Sequence, residues 1–233
     1  MSHVHTYTPF DNDIDRLRAS VTTMGGLVER QLACALDALR ACDDARVEQV
    51  LADEVTVNQL HVDTDKRCNL TIATRQPAAV DLREIIAVIH INGDLERVGD
   101  EAKKIALKSR ELCKAPSLPI PVHRLDRTAG LVTGMLRDAL DAFVRHDNSV
   151  LPGLYERDRE VDAQRDALID ELVRAMSSNP GEVSAALSMI FVVQSLERVG
   201  DHAKGIAEYV VQLVEGVDLR HVKPRRGQDG APG

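Results

Sequence analysis

Apolar residues recur every three to four positions along most of the chain, which is the spacing of one face of an α-helix. Short polar or proline-containing segments interrupt this pattern and divide it into six helical stretches. We predict helices at about 9–40, 45–75, 79–112, 123–146, 150–176 and 180–214. The fold class expected from this pattern is all-α.

The breaks between the stretches are short, so helices that follow one another should be antiparallel neighbours. One break is different, because Pro116, Pro119 and Pro121 fall within six positions and predict a linker between two larger units. Gly25 and Gly26 lie inside the first helical pattern, where adjacent glycines favour close packing against another helix.

Composition supports helix-on-helix packing, because hydrophobic residues make up 44% of the 233 positions but aromatic residues only 3%. The net charge of −8 argues against nucleic-acid binding, which needs a basic surface to neutralise phosphates. We find no uninterrupted run of about 18 apolar residues, so no membrane span is expected. The first residues do not have the layout of a signal peptide.

The four cysteines stand at positions 34, 42, 68 and 113, and no two of them form a Cys-x-x-Cys pair. At least two lie within helical patterns. We therefore expect free thiols in a reducing cytosol.

The sequence Leu-Glu-Arg-Val-Gly-Asp occurs twice, at residues 95–100 and 196–201. The likeness continues past the hexamer, because Ala, Lys, Ile and Ala recur at the same spacing in both copies. Two copies of a three-helix unit explain this best. We place the first repeat at 9–114, the second at 122–216, and a Gly- and Pro-rich disordered tail at 223–233.

Each copy of the hexamer carries a Glu and an Asp four positions apart, on one helical face. The second helix of each repeat has a similar pair, and if the second and third helices are neighbours, both pairs could converge on one ion. Oxygen donors suit hard cations such as magnesium, manganese and ferric iron. The candidate ligands are Glu54, Asn58, Glu96, Asp100, Asp158, Asp162, Glu197 and Asp201.

Acidic residues at this spacing are also common on solvated helices, where Arg97, Lys103 and Lys104 could pair with them. The chain has no Glu-x-x-His motif of di-iron bundles and no phosphate-binding Gly-x-x-x-x-Gly-Lys loop. No residue is nominated as a catalytic nucleophile or base, and no catalytic site is predicted.

Three segments resemble the PhoU family of bacterial phosphate-signalling regulators. They are RQPAAVDLR at 75–83 followed by DLERVGD at 94–100, MGGLVE at 24–29 with Phe10 before it, and LERVGDHA at 196–203. The similarity covers about residues 9–222. It implies two three-helix bundles related by pseudo-twofold symmetry, commonly in a homodimer.

The resemblance also implies a cytoplasmic regulator that restrains the phosphate-starvation response and reaches the inner membrane only through its partners. Those partners would be the ATPase subunit of the phosphate-specific ABC transporter and the phosphate sensor histidine kinase. Some family members bind iron or zinc clusters through paired carboxylates, so iron, zinc, manganese or magnesium is expected here and no organic cofactor. Asn58 departs from the family pattern, which weakens the first site.

Two other functions fit the sequence. The paired carboxylates could belong to a metalloenzyme such as a phosphoester hydrolase. The helical repeat alone is compatible with a purely structural interaction protein, although that function gives no reason for the repeated hexamer.

Overall fold

The computed structural model describes residues 9–217, and its long elements are all α-helices. They are α1 (Pro9–Ala41), α2 (Asp44–Arg75), α3 (Ala79–Cys113), α4 (Asp126–Arg145), α5 (Leu151–Ser178) and α6 (Val183–Glu215). Single turns of 3-10 helix precede the last three, at Val122–Leu125, Asn148–Val150 and Pro180–Glu182. No strand occurs within the described residues. The all-α prediction is confirmed, and the predicted tail at 223–233 lies outside the described part.

The helices begin and end where local chemistry requires it. Asp43 caps α2, because its Oδ1 accepts the backbone N–H groups of Ala45 at 3.0 Å and Arg46 at 3.4 Å. Gln76 ends the same helix in the left-handed region, with φ of 49°. Pro77 follows immediately, so the chain leaves the helix at the predicted break.

Helices α1, α2 and α3 pack together, as do α4, α5 and α6, and the two groups meet mainly through α3 and α6. These two helices run antiparallel. The Ser188 hydroxyl near the start of α6 donates to Glu111 near the end of α3, at 2.6 Å. Farther along α6, His202 Nδ1 lies 2.9 Å from Asp94 Oδ1. The molecule is therefore a pair of three-helix bundles joined along a central helix pair.

The core consists of Leu, Val, Ile and Ala side chains with a single fully buried aromatic ring among the described residues, that of Phe143. Gly25 of α1 faces α4, and a Cβ there would lie 2.8 Å from Leu140 Cδ2. The expected close packing is thus confirmed for Gly25. It is not found for Gly26, where a Cβ would meet nothing within 4 Å.

Helix α6 bears on the expectation that no segment spans a membrane. Although no uninterrupted apolar run exists, the segment Pro180–Glu215 is long and apolar enough to cross a membrane by length and composition. More than half of its most apolar stretch is buried inside the protein. Its composition follows from its place in the fold, since α6 contacts α3, α4 and α5 and so has apolar residues on several sides.

The cysteines correct another expectation, because Cys42 and Cys113 form a disulfide and only Cys34 and Cys68 are free. Helices α1 and α3 run in the same direction, with the antiparallel α2 between them along the chain. Their final turns therefore lie at the same end of the first bundle. Sequence spacing gave no sign of this pairing, since the two residues are 71 positions apart.

Candidate functional site

The first carboxylate cluster lies where α1, α2 and α3 meet, and Glu54 is its centre. This side chain is buried, with only 4% of the residue exposed. Gln31 of α1 donates its amide N–H to Glu54 Oε2 at 3.0 Å, and Asn58 donates to Oε1 at 3.3 Å. Gln31 also donates to the Val50 carbonyl at 3.3 Å. These contacts tie α1 and α2 to one buried carboxylate.

Helix α3 adds the residues of the first hexamer to this cluster. Lys103 places its Nζ 3.6 Å from Glu54 Oε1 and 3.9 Å from Asp100 Oδ1. Glu96 forms its ion pair with the adjacent Arg97, at 3.4 Å. The structure thus joins Glu54, Asn58 and Asp100 in one set of contacts, and Glu96 lies one turn earlier on the same helix.

The second cluster lies between α5 and α6 and consists of two bridged pairs. Lys204 donates to Asp158 and to Asp201, at 2.7 Å in both cases. Arg165 donates to Asp162 at 2.8 Å and also to Glu197. All four predicted carboxylates of the second repeat are therefore within reach of a cation supplied by the protein itself.

The electrostatics of the second cluster follow from partial burial. Burial raises the pKa of Glu197, the nearby charge of Asp201 raises it further, and Arg165 opposes both. Burial disfavours the charge of Lys204, but its hydrogen bonds to Asp158 and Asp201 outweigh this effect and raise its pKa. The cluster is held together because a cation stands between its negative groups.

The glycine of each hexamer lets α3 or α6 approach its neighbours. A Cβ on Gly99 would lie 3.1 Å from Gln31 Oε1 and 3.3 Å from Glu54 Oε2. A Cβ on Gly200 would lie 3.4 Å from Val132 Cγ1, which is ordinary contact. The first repeat therefore needs its glycine for space, whereas the second has room for a methyl group.

The donor atoms suit a hard cation, but their arrangement does not form a ready site. Within residues 9–217, no group of three or more Asp, Glu, His or Cys side chains is close enough together to hold one ion. The ammonium groups of Lys103 and Lys204 lie between the carboxylates that a metal would need. Metal binding by these residues stays a prediction.

Sequence reasoning missed several members of both clusters. Lys103 and Lys204 are aligned members of the extended repeat, so the repeat itself carried the signal that they share a role. Arg165 and Gln31 had no such signal, because the aligned positions in the other repeat hold His61 and Met135. Gln31 reaches Glu54 only because α1 packs against α2. Arg165 lies three residues after Asp162 on α5, but it reaches Glu197 only because α5 packs against α6.

Comparison with known proteins places this architecture in a family. The model of the PhoU domain matches residues 21–108 and again 125–210, once in each repeat. The chain belongs to the PhoU family. The predicted family resemblance is therefore confirmed.

The PhoU relatives match over nearly the whole chain. A homologue of the phosphate-specific transport system accessory protein PhoU from Pseudomonas putida is 38% identical over 222 residues, covering 95% of this chain and 87% of its own length. The Escherichia coli protein of that name is 33% identical, covering 94% of this chain and 90% of its own length. These names support a role in the regulation of phosphate transport.

Two solved PhoU structures share the fold. The crystal structure of PhoU from Pseudomonas aeruginosa superposes with a TM-score of 0.86 at 38% identity, covering 89% of this chain and 100% of that one. The phosphate transport system regulatory protein PhoU from Streptococcus pneumoniae gives a TM-score of 0.82 at 27% identity, covering 90% and 98% of the two chains. These two PhoU structures thus share the tandem three-helix bundles of this chain.

Proposed function

We propose that this protein is a regulatory adaptor of a phosphate-specific transport system and restrains the phosphate-starvation response when phosphate is plentiful. Its partners would be the ATPase subunit of the transporter and the phosphate sensor histidine kinase. The near full-length likeness to proteins named as accessory to phosphate transport carries this proposal. The second charged cluster supports it, since its Asp201 is exposed and offers a partner a polar contact region on α6.

A regulatory role fits the clusters better than a catalytic one. In both repeats the charged side chains are satisfied by one another, through Lys103 in the first and through Lys204 and Arg165 in the second. A general base or a metal-bound hydroxide would need an uncompensated group beside a space for substrate. We therefore propose a protein that acts through contacts, in the cytoplasm and as a homodimer.

A complementation experiment tests this proposal. In a strain that lacks its own regulator and grows in phosphate-rich medium, alkaline phosphatase should be produced continuously, and this chain should switch it off. Continued alkaline phosphatase production, with the chain present at normal level, would contradict the adaptor function. Metal-dependent turnover of a phosphoester panel by the purified protein would instead favour the hydrolase.

Two variants connect the phenotype to the clusters. Glu197→Gln with Asp201→Asn removes charge from the second cluster while keeping side-chain size. Glu156→Gln with Asp170→Asn removes the same charge from exposed positions of α5 that lie outside it. We expect loss of repression only for the first variant. A partner that recognises the cluster should bind the second variant as it binds the unchanged protein.

A further inference from the structure

Cys42 and Cys113 form the covalent link at one end of the first repeat. Cys42 is in the turn between α1 and α2, and Cys113 is the last residue of α3. Their Cα atoms are 5.5 Å apart, within the range that a disulfide requires. Because Cys113 is followed directly by the segment that leads to the second repeat, the bond fixes the point at which the chain leaves the first bundle.

This disulfide is accessible from solvent. Both of its residues are exposed, and they line a surface cavity of about 230 Å³. The cavity also contains cationic groups, those of Arg110 and Lys114, and anionic groups, those of Asp43 and Asp44. The cations favour the thiolate that leaves when a disulfide is reduced, whereas the carboxylates oppose it.

Ion pairs also connect the helices at this end of the bundle. Arg110, one turn before Cys113, binds both Asp44 and Glu48 of α2. These ion pairs connect α3 to α2 beside the disulfide, so reduction does not by itself separate the helices. We therefore expect the two sulfur atoms of the reduced form to stay close enough to pair again.

The other two cysteines lie in different surroundings. Cys68 is fully buried, and burial raises the pKa of its thiol to about 12. Cys34 is half-buried, and its thiol donates to the Arg46 carbonyl at 3.5 Å. Neither residue lines the cavity at Cys42 and Cys113.

We infer that Cys42 and Cys113 are a reversible thiol–disulfide exchange site that a dithiol, either a small molecule or a protein, reduces through the adjoining cavity. This inference does not rest on the proposed function. The reduced form would have the same helices but a less constrained exit from the first repeat.

The exchange is balanced by the dithiol alone. One thiolate of the reductant attacks one cysteine sulfur, which forms a mixed disulfide and releases the other cysteine as a thiolate. The second thiol of the reductant then displaces the bound cysteine. Two electrons and two protons pass to the protein, which gains two thiols, while the reductant becomes a disulfide. Glutathione disulfide or oxidised dithiothreitol reverses the reaction.

Alkylation with N-ethylmaleimide under denaturing conditions tests the pairing on the full chain. After incubation with oxidised dithiothreitol, the protein should take up two labels, at Cys34 and Cys68, and after reduced dithiothreitol it should take up four. Peptide mapping locates the labels. Four labels after oxidation, a bridge to Cys34 or Cys68, or a bridge between two chains would overturn the inference.

Thermal unfolding tests the constraint. Reduction should lower the midpoint by about 10 °C, since the bond closes a long loop in the unfolded chain. The Cys42→Ser/Cys113→Ser variant should unfold at the reduced midpoint under both conditions, whereas Cys34→Ser should respond to reduction as the unchanged protein does. An unchanged midpoint on reduction, measured on the unsubstituted chain, would show that the bond does not constrain the fold.

Discussion

Each repeat has three helices and one copy of the hexamer, but the carboxylates of the two repeats lie in different surroundings. In the first, Glu54 is enclosed by Gln31, Asn58 and Lys103 and belongs to the interior. In the second, Asp158 is only partly buried and shares Lys204 with the exposed Asp201. One cluster is therefore part of what holds its bundle together, whereas the other remains a polar surface.

The aligned positions show how charge was kept in balance. The first repeat has the neutral Asn58 where the second has Asp162, and His61 where the second has Arg165. The additional negative charge of Asp162 therefore stands beside an additional positive charge, and the two side chains meet at 2.8 Å. His61 of the first repeat instead approaches Asp65, at 3.5 Å. An added buried or half-buried charge is tolerated when its counter-ion is added with it.

The largest difference between the repeats should appear when each central carboxylate is removed. Glu54→Ala removes the buried carboxylate that Gln31, Asn58 and Lys103 all contact, and should lower the free energy of unfolding by about 3 kcal/mol. Asp158→Ala should cost about 1 kcal/mol, because Lys204 keeps Asp201 and can reach water. Urea unfolding measures both. Equal losses would mean that the two clusters have the same structural role.

Metal binding should distinguish the repeats by a smaller amount. If the carboxylates are ligands, Lys204→Ala should raise the affinity for Mn²⁺ about tenfold, because an ammonium group no longer competes for Asp158 and Asp201. Lys103→Ala should raise the affinity for Mn²⁺ by a smaller factor, since Asn58 is neutral and Glu54 is enclosed. Calorimetric titration measures this. If none of the proteins took up Mn²⁺, iron or zinc, the metal prediction would be wrong and the carboxylates would serve ion pairs and partners.

The smallest difference should come from the hexamer glycines. Gly200→Ala should stabilise the protein by about 0.5–1 kcal/mol, because alanine favours the helix and the methyl group meets ordinary contacts. Gly99→Ala gains the same preference but pushes against Gln31, Glu54 and Val57, and should lose about 1 kcal/mol overall. The midpoint of urea unfolding reports both. If Gly99→Ala were stabilised, the side chains of the first cluster would be able to shift and make room for the methyl group in spite of their burial.

Much of the fold could be predicted from the sequence, because helical periodicity and the repeated hexamer are local signals. The predicted breaks at 41–44 and 76–78 coincide with the helix ends in the structure to within one or two residues. The clusters could be predicted only in part. Glu96, Asp100, Glu197 and Asp201 follow from spacing within one helix, but the position of Gln31 beside Glu54 depends on how two separate helices pack.

Pairings between distant residues were beyond sequence reasoning. The disulfide connects residues that belong to different helices and to no shared motif. The i,i+3 spacing of Asp162 and Arg165 lies within α5, but the contact of Arg165 with Glu197 depends on how α5 packs against α6. Such features follow from tertiary packing, which a single sequence does not display.

The central helix pair has a consequence for how the two clusters respond to their surroundings. Glu101 follows Asp100 in α3, Arg198 follows Glu197 in α6, and these two neighbours approach each other at 3.6 Å across the pair. This contact joins α3 to α6 directly beside both clusters. If a ligand bound at one cluster were to shift α6 against α3, linkage would require a ligand at the other cluster to change its affinity by the same factor.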